Sequence, residues 1–138
     1  MALLSPAARQ GTGPLARLMR EGGLYCVFQP LADLREGQVY AHEALIRGPQ
    51  NTPLHTPDKL LELARHEGIL QDFELLCVYT AMEQWGRHDA PGRLFVNISA
   101  DALVHGVQLI GATELGNTVR SLGLSAARRC WKSPSTIA

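Results

Sequence analysis

Apolar positions along this chain repeat with two periods, and each change of period marks an element. Leu24 to Gln29 alternates, setting Tyr25, Val27 and Gln29 on one face, and Pro30 ends the run because it has no backbone donor. Leu31 to Gln38 contains Asp33, Glu36 and Gly37, a turn signal, after which Tyr40 to Pro49 alternates again. Here Val39, Ala41, Glu43, Leu45 and Arg47 share one face, while Tyr40, His42, Ala44 and Ile46 share the other. The two runs predict a β-hairpin. Arg93 to Ser99 predicts a third strand, with Leu94, Val96 and Ile98 facing one way and Phe95, Asn97 and Ser99 the other.

Helical spacing fills the intervals between these runs. Pro14 to Arg20 predicts a short helix stopped by Gly22 and Gly23. Thr56-Pro57-Asp58 is a helix start, a hydroxyl followed by proline and an acid, for a helix from Asp58 to Glu67 ended by Gly68. Gln71 to Trp85 is apolar over most of its circumference and must be covered on more than one side. Asp101 to Val104 reads as a helical turn and Val107 to Leu122 as a helix interrupted by Gly111 and Gly116. Residues 1–13 read as a loose leader. Arg128-Arg129-Cys130-Trp131-Lys132-Ser133-Pro134-Ser135-Thr136 does not read as a strand.

Composition narrows the classes. With 138 residues the chain can bury one core, and 13 basic residues balance 13 acidic ones, so no global field draws it to a nucleic acid polymer or an anionic membrane. Cys26, Cys77 and Cys130 are odd in number and lack Cys-x-x-Cys spacing, which argues against a disulfide framework or zinc site and for a cytoplasmic protein. No apolar run reaches the ~20 residues of a membrane span, and none resembles a signal peptide. His55 and His66 have no ligand-spaced partner and read as surface residues.

The candidate chemistry lies in the alternating runs. A carboxylate directed into a mostly buried sheet must be paired, protonated or bound to a metal, so Glu43 needs a partner. An ion pair with Arg47 at the strand end is one answer. Asn97 is disfavoured inside a strand, which leaves two readings: a satisfied buried amide, or a side chain with a task.

Glu43-Ala44-Leu45 followed by Ile46-Arg47-Gly48-Pro49, with Phe28-Gln29-Pro30 upstream and Val96-Asn97-Ile98-Ser99 downstream, resembles the EAL family of bacterial cyclic-di-GMP phosphodiesterases. The resemblance implies an α/β fold, the N-terminal part of an EAL-type modified TIM barrel whose first strand is antiparallel, incomplete and not able to close. It divides the chain into a leader or linker (1–13), a partial EAL domain (14–125) and a non-family tail (126–138). It also implies metal-dependent hydrolysis of cyclic-di-GMP to the linear dinucleotide in the parent domain, with Glu43 and Asn97 as ligands to Mg2+ or Mn2+ and with Gln29, Leu45 and Arg47 contacting the dinucleotide. The family's remaining ligands have no counterpart in this chain, so inactivity of the chain by itself is expected. The alternative is a non-catalytic module that binds cyclic-di-GMP or another protein. A bare third-strand edge, or an EAL-type dimer, would give self-association. The tail reads as out of frame, because Cys130 to Ala138 can be encoded so that, with an Arg129 codon ending in C, the frame one base earlier reads Leu-Leu-Glu-Ile-Thr-Glu-His-Asp-Arg, a strand pattern of the family's kind.

Overall fold

In a computed structural model of the chain, which describes residues 4–88, 92–121 and 129–132, the elements follow the order α1 (Pro6–Gln10), α2 (Pro14–Glu21), β1 (Tyr25–Asp33), β2 (Gln38–Arg47), α3 (Pro57–His66), α4 (Leu70–Arg87), β3 (Arg93–Asn97), α5 (Ala100–Ile110), α6 (Ala112–Ser121) and β4 (Arg129–Lys132). The strands form one open mixed sheet in the order β1-β2-β3-β4. β1 and β2 are an antiparallel hairpin, and β2, β3 and β4 run parallel.

One face of the sheet packs on α4. Ala44, Leu94, Val96 and Ile98 join Leu75, Val78, Met82 and Trp85 in a buried cluster, with Cys26 and Phe28 against it. A second cluster gathers α1, α2, α3 and the first half of α4 around Leu15, Leu60 and Phe73. Residues on α4 therefore face both clusters, which is why its sequence is apolar nearly all round.

Three carboxylates tie the helices together. Helix α2 begins after Gly13, which has no side chain to cap it, and Glu67 from the end of α3 accepts from Leu15 N at 2.9 Å and Ala16 N at 3.0 Å. Asp72 accepts from Ser5 N at 2.8 Å and from Ser5 Oγ at 2.7 Å. Glu74 accepts from Ser99 N at 3.0 Å and from Ser99 Oγ at 2.8 Å. Each acid sits where a helix start presents unpaired N–H groups and the positive end of its dipole.

Four expectations need correction. Pro30 does not end β1 but pairs with His42 inside it, because β1 is an edge of the described sheet and a missing donor is tolerated there. Residues 1–13 are not loose throughout: Ser5 caps α1, and Leu4 and Ala8 are buried. His55 is half-buried, its Nδ1 3.0 Å from Gly48 O, not a surface residue. The tail does contain a strand: Leu94 lies opposite Arg129 and Asn97 opposite Lys132, so the sheet has four strands, not three, and β3 is no bare edge. An unpaired strand flank offers a row of free donors and acceptors, and Cys and Trp in the following segment are compatible with extended backbone. Residues 126–128 and 133–138 of the expected tail lie outside the described residues.

Candidate functional site

The candidate site stands on the sheet face turned away from α4. Antiparallel register sets Gln29 opposite Glu43, Val27 opposite Leu45 and Tyr25 opposite Arg47. Parallel register sets Glu43 opposite Phe95, and Asn97 is two residues further along the same face. All five candidate residues, Gln29, Glu43, Leu45, Arg47 and Asn97, thus share one face.

Glu43 and Asn97 are in contact. Asn97 Nδ2 donates to Glu43 Oε1 at 3.2 Å, while Asn97 Oδ1 is buried and has no hydrogen-bond partner among the described residues. Glu43 is only 9% exposed. An unsatisfied buried acceptor costs about 1–3 kcal/mol, so an amide oxygen left open beside a desolvated carboxylate is the feature that sets this pair apart from a closed polar contact. Carboxylate and amide oxygens are the donors that hard divalent cations take, and in kind they fit such an ion. Among the described residues, however, no three His, Cys, Asp or Glu side chains converge to hold one.

The other candidates lie on the same face, Gln29 directly opposite Glu43. Gln29 is exposed. Leu45 is half-buried and, with Asn97, lines a cavity of about 400 Å³ at the ends of β2 and β3. Arg47 Nη1 donates to Ile46 O at 2.8 Å, which holds the guanidinium at the strand end. The loop that follows is held in place: Gly48 N donates to His55 O at 3.1 Å, and a Cβ on Gly48 would meet Leu54 O at 1.9 Å. Only glycine permits that approach.

Glu74, which the sequence reading did not single out, also serves the site. Its carboxylate holds Ser99, and Ser99 Oγ accepts from Ala102 N at 3.1 Å, so the end of β3 just beyond Asn97 is locked to α4 and α5. The available signal was an acid amid the apolar positions of α4. Cys26 and Cys77 line the same cavity but are poor nucleophiles: burial pushes the Cys26 thiol up to about 12 against the opposing pull of Arg47, and burial together with Cys26 and Glu74 raises that of Cys77 well above its ordinary value.

The profile of the EAL domain family matches residues 13–122. Among solved structures, the fold is similar to the Xanthomonas citri FimX EAL domain in complex with c-diGMP, at a TM-score of 0.70 and 18% identity over 88% of this chain and 47% of that one. It is similar to the FimX EAL domain from Pseudomonas aeruginosa bound to c-di-GMP, at a TM-score of 0.65 and 20% identity over 88% of this chain and 50% of that one. It is also similar to Klebsiella pneumoniae BlrP1 in a manganese and cy-diGMP complex, at a TM-score of 0.65 and 19% identity over 80% of this chain and 27% of that one. The chain thus spans from about a quarter to a half of the length of these proteins. Among curated proteins none matches it.

Proposed function

Because this chain belongs to the EAL domain family, we propose that it acts in cyclic-di-GMP signalling and supplies one side of a site for the dinucleotide and a divalent ion. Glu43 and Asn97 hold the ion, Mg2+ or Mn2+, through a carboxylate oxygen and the amide Oδ1. Arg47 faces a phosphate, Leu45 lies beside a guanine, and Gln29 hydrogen-bonds the ligand from the hairpin's other strand. When bound, the ion supplies charge neutralisation at the phosphodiester and a more acidic water. The chain's own part would be to hold the ion with Glu43 and Asn97 and to counter the phosphate charge with Arg47.

The single observation that carries this reading is the buried Oδ1 of Asn97 next to Glu43, without a hydrogen-bond partner among the described residues. The parent domain is read as a phosphodiesterase that opens cyclic-di-GMP to the linear dinucleotide. Two oxygen ligands are too few to fix a catalytic ion, so we infer that this chain alone binds without hydrolysis. The lack of a third converging acid among the described residues also favours the second reading, a module that binds cyclic-di-GMP or another protein and performs no chemistry. Titration calorimetry with Mn2+ and cyclic-di-GMP, followed by chromatography of the nucleotide, tests both. Ion-dependent binding lost in Glu43→Gln supports the proposed site. Binding that ignores both the ion and Glu43→Gln supports the module, and no binding at all overturns both.

A further inference from the structure

A second cleft lies away from the sheet's open face, where α1 and α2 meet the outer side of α4. It has a volume of about 700 Å³, within the range of small-molecule sites. Its floor is apolar, with Met19, Leu24 and Leu76. Three arginines are among the residues that line it, Arg9, Arg20 and Arg87, with Glu83 as the one acidic residue of that lining. Arg87 is paired with Glu83, whereas the ion pairs among the described residues include neither Arg9 nor Arg20. The excess positive charge is therefore concentrated on those two residues.

Two of the polar side chains are held in position, those of Arg20 and Gln84. Arg20 Nη1 donates to Ala8 O at 3.0 Å and to Gly11 O at 2.7 Å, which fixes the guanidinium on the α1–α2 connection. Gln84 Oε1 accepts from Cys26 N at 2.7 Å, so its amide N–H groups remain for another acceptor. A guanidinium fork suits phosphate oxygens, and two of them match a dianion.

We propose that this cleft binds a small organic phosphate, with its apolar body on Leu24 and Leu76 and its phosphate between Arg9 and Arg20. The site is independent of Glu43 and Asn97 and goes beyond the function proposed above. Binding here joins α1 to α4, so it also tightens the attachment of the segment that precedes the family-matched residues.

Titration of the full chain with phenyl phosphate, inorganic phosphate and phenol provides the test. Phenyl phosphate is expected to bind at one site, at least roughly tenfold more tightly than either of the others, because only it meets both floor and rim. Arg9→Gln should weaken it roughly tenfold through loss of a charge-assisted hydrogen bond. Glu83→Gln should tighten it severalfold by removing the one acidic residue among the described lining and releasing Arg87 from its ion pair, a gain that no purely structural role of Glu83 produces. Glu43→Gln should leave it unchanged. Inorganic phosphate binding as tightly as phenyl phosphate, no detectable binding, or indifference to both Arg9→Gln and Glu83→Gln would each overturn the proposal.

Discussion

The two faces of the β1-β2-β3 sheet obey different rules although they alternate residue by residue. On the α4 side, Cys26, Phe28, Ala44, Leu94, Val96 and Ile98 meet apolar partners, and burial alone explains each of them. On the other side, Gln29, Glu43, Arg47 and Asn97 interrupt that pattern, and Val27 is 39% exposed. The covered face accounts for why the chain folds, and the open face carries the polar residues that packing does not explain. A residue that is costly for the fold and remains on the open face therefore points to function. Glu43 and Asn97 meet that condition together.

Breaking the covered face should have the largest effect. Trp85 is 2% exposed, and its ring lies 5.1 Å from that of Phe28 and 5.0 Å from that of His42. Trp85→Ala is expected to cost about 3–5 kcal/mol, a large share of the stability of a domain of this size. Urea unfolding followed by circular dichroism measures it, and a loss below about 1 kcal/mol would mean that this face does not organise the fold.

The next effect tests the link between the faces. Glu74→Ala leaves Ser99 N and Ser99 Oγ without their acceptor, at an expected cost of about 1–3 kcal/mol. Because Ser99 follows Asn97 by two residues, the same variant should also weaken Mn2+ binding. Loss of stability with unaltered ion affinity would separate Glu74 from the site.

On the open face the balance reverses. Glu43→Gln keeps the side-chain shape and removes a poorly solvated charge, so stability should change by less than about 1 kcal/mol while Mn2+ binding is lost. In a completed form of the domain it should abolish hydrolysis of cyclic-di-GMP, as nucleotide chromatography would reveal.

The periods of the sequence conveyed most of this arrangement. The hairpin, the β3 strand and helices α2, α3 and α4 were legible from spacing, and so was the sharing of one face by Glu43 and Arg47. What escaped depended on long-range contact. Ser5-Pro6 carries the same hydroxyl-proline signal as Thr56-Pro57, yet helix α1 was missed because its stability rests on Asp72, 67 residues away. Ironically for local reading, Ser5 makes a side-chain cap and Thr56 makes none. The requirement that a buried carboxylate find a partner singled out Glu43, and it applied equally to Asp72 and Glu74, where a helical context concealed it. β4 could not be read from Arg129 to Lys132, because these four residues show no apolar alternation of the kind that marks β3.

The smallest expected effect returns to the covered face and concerns its thiols. Cys26 and Cys77 are free, and burial is the first cause of the raised pKa of each. Unfolding exposes the thiols to water, where they ionise near the ordinary value of 9.0, whereas folded Cys26 holds its proton up to about 12. The folded state therefore binds more protons between those limits, and the linkage sign is fixed: this contribution to stability is complete below about pH 9.0 and is lost as pH rises towards about 12. Cys26→Ala should flatten that part of the stability curve without altering its neutral portion much. At pH 8 the same protonation should make both thiols react slowly with a disulfide reagent in the folded chain and rapidly once it is unfolded in urea. Fast labelling of Cys26 in the folded chain would mean that the covered face admits water and thiolate, and the contrast between the two faces would then lose its physical basis.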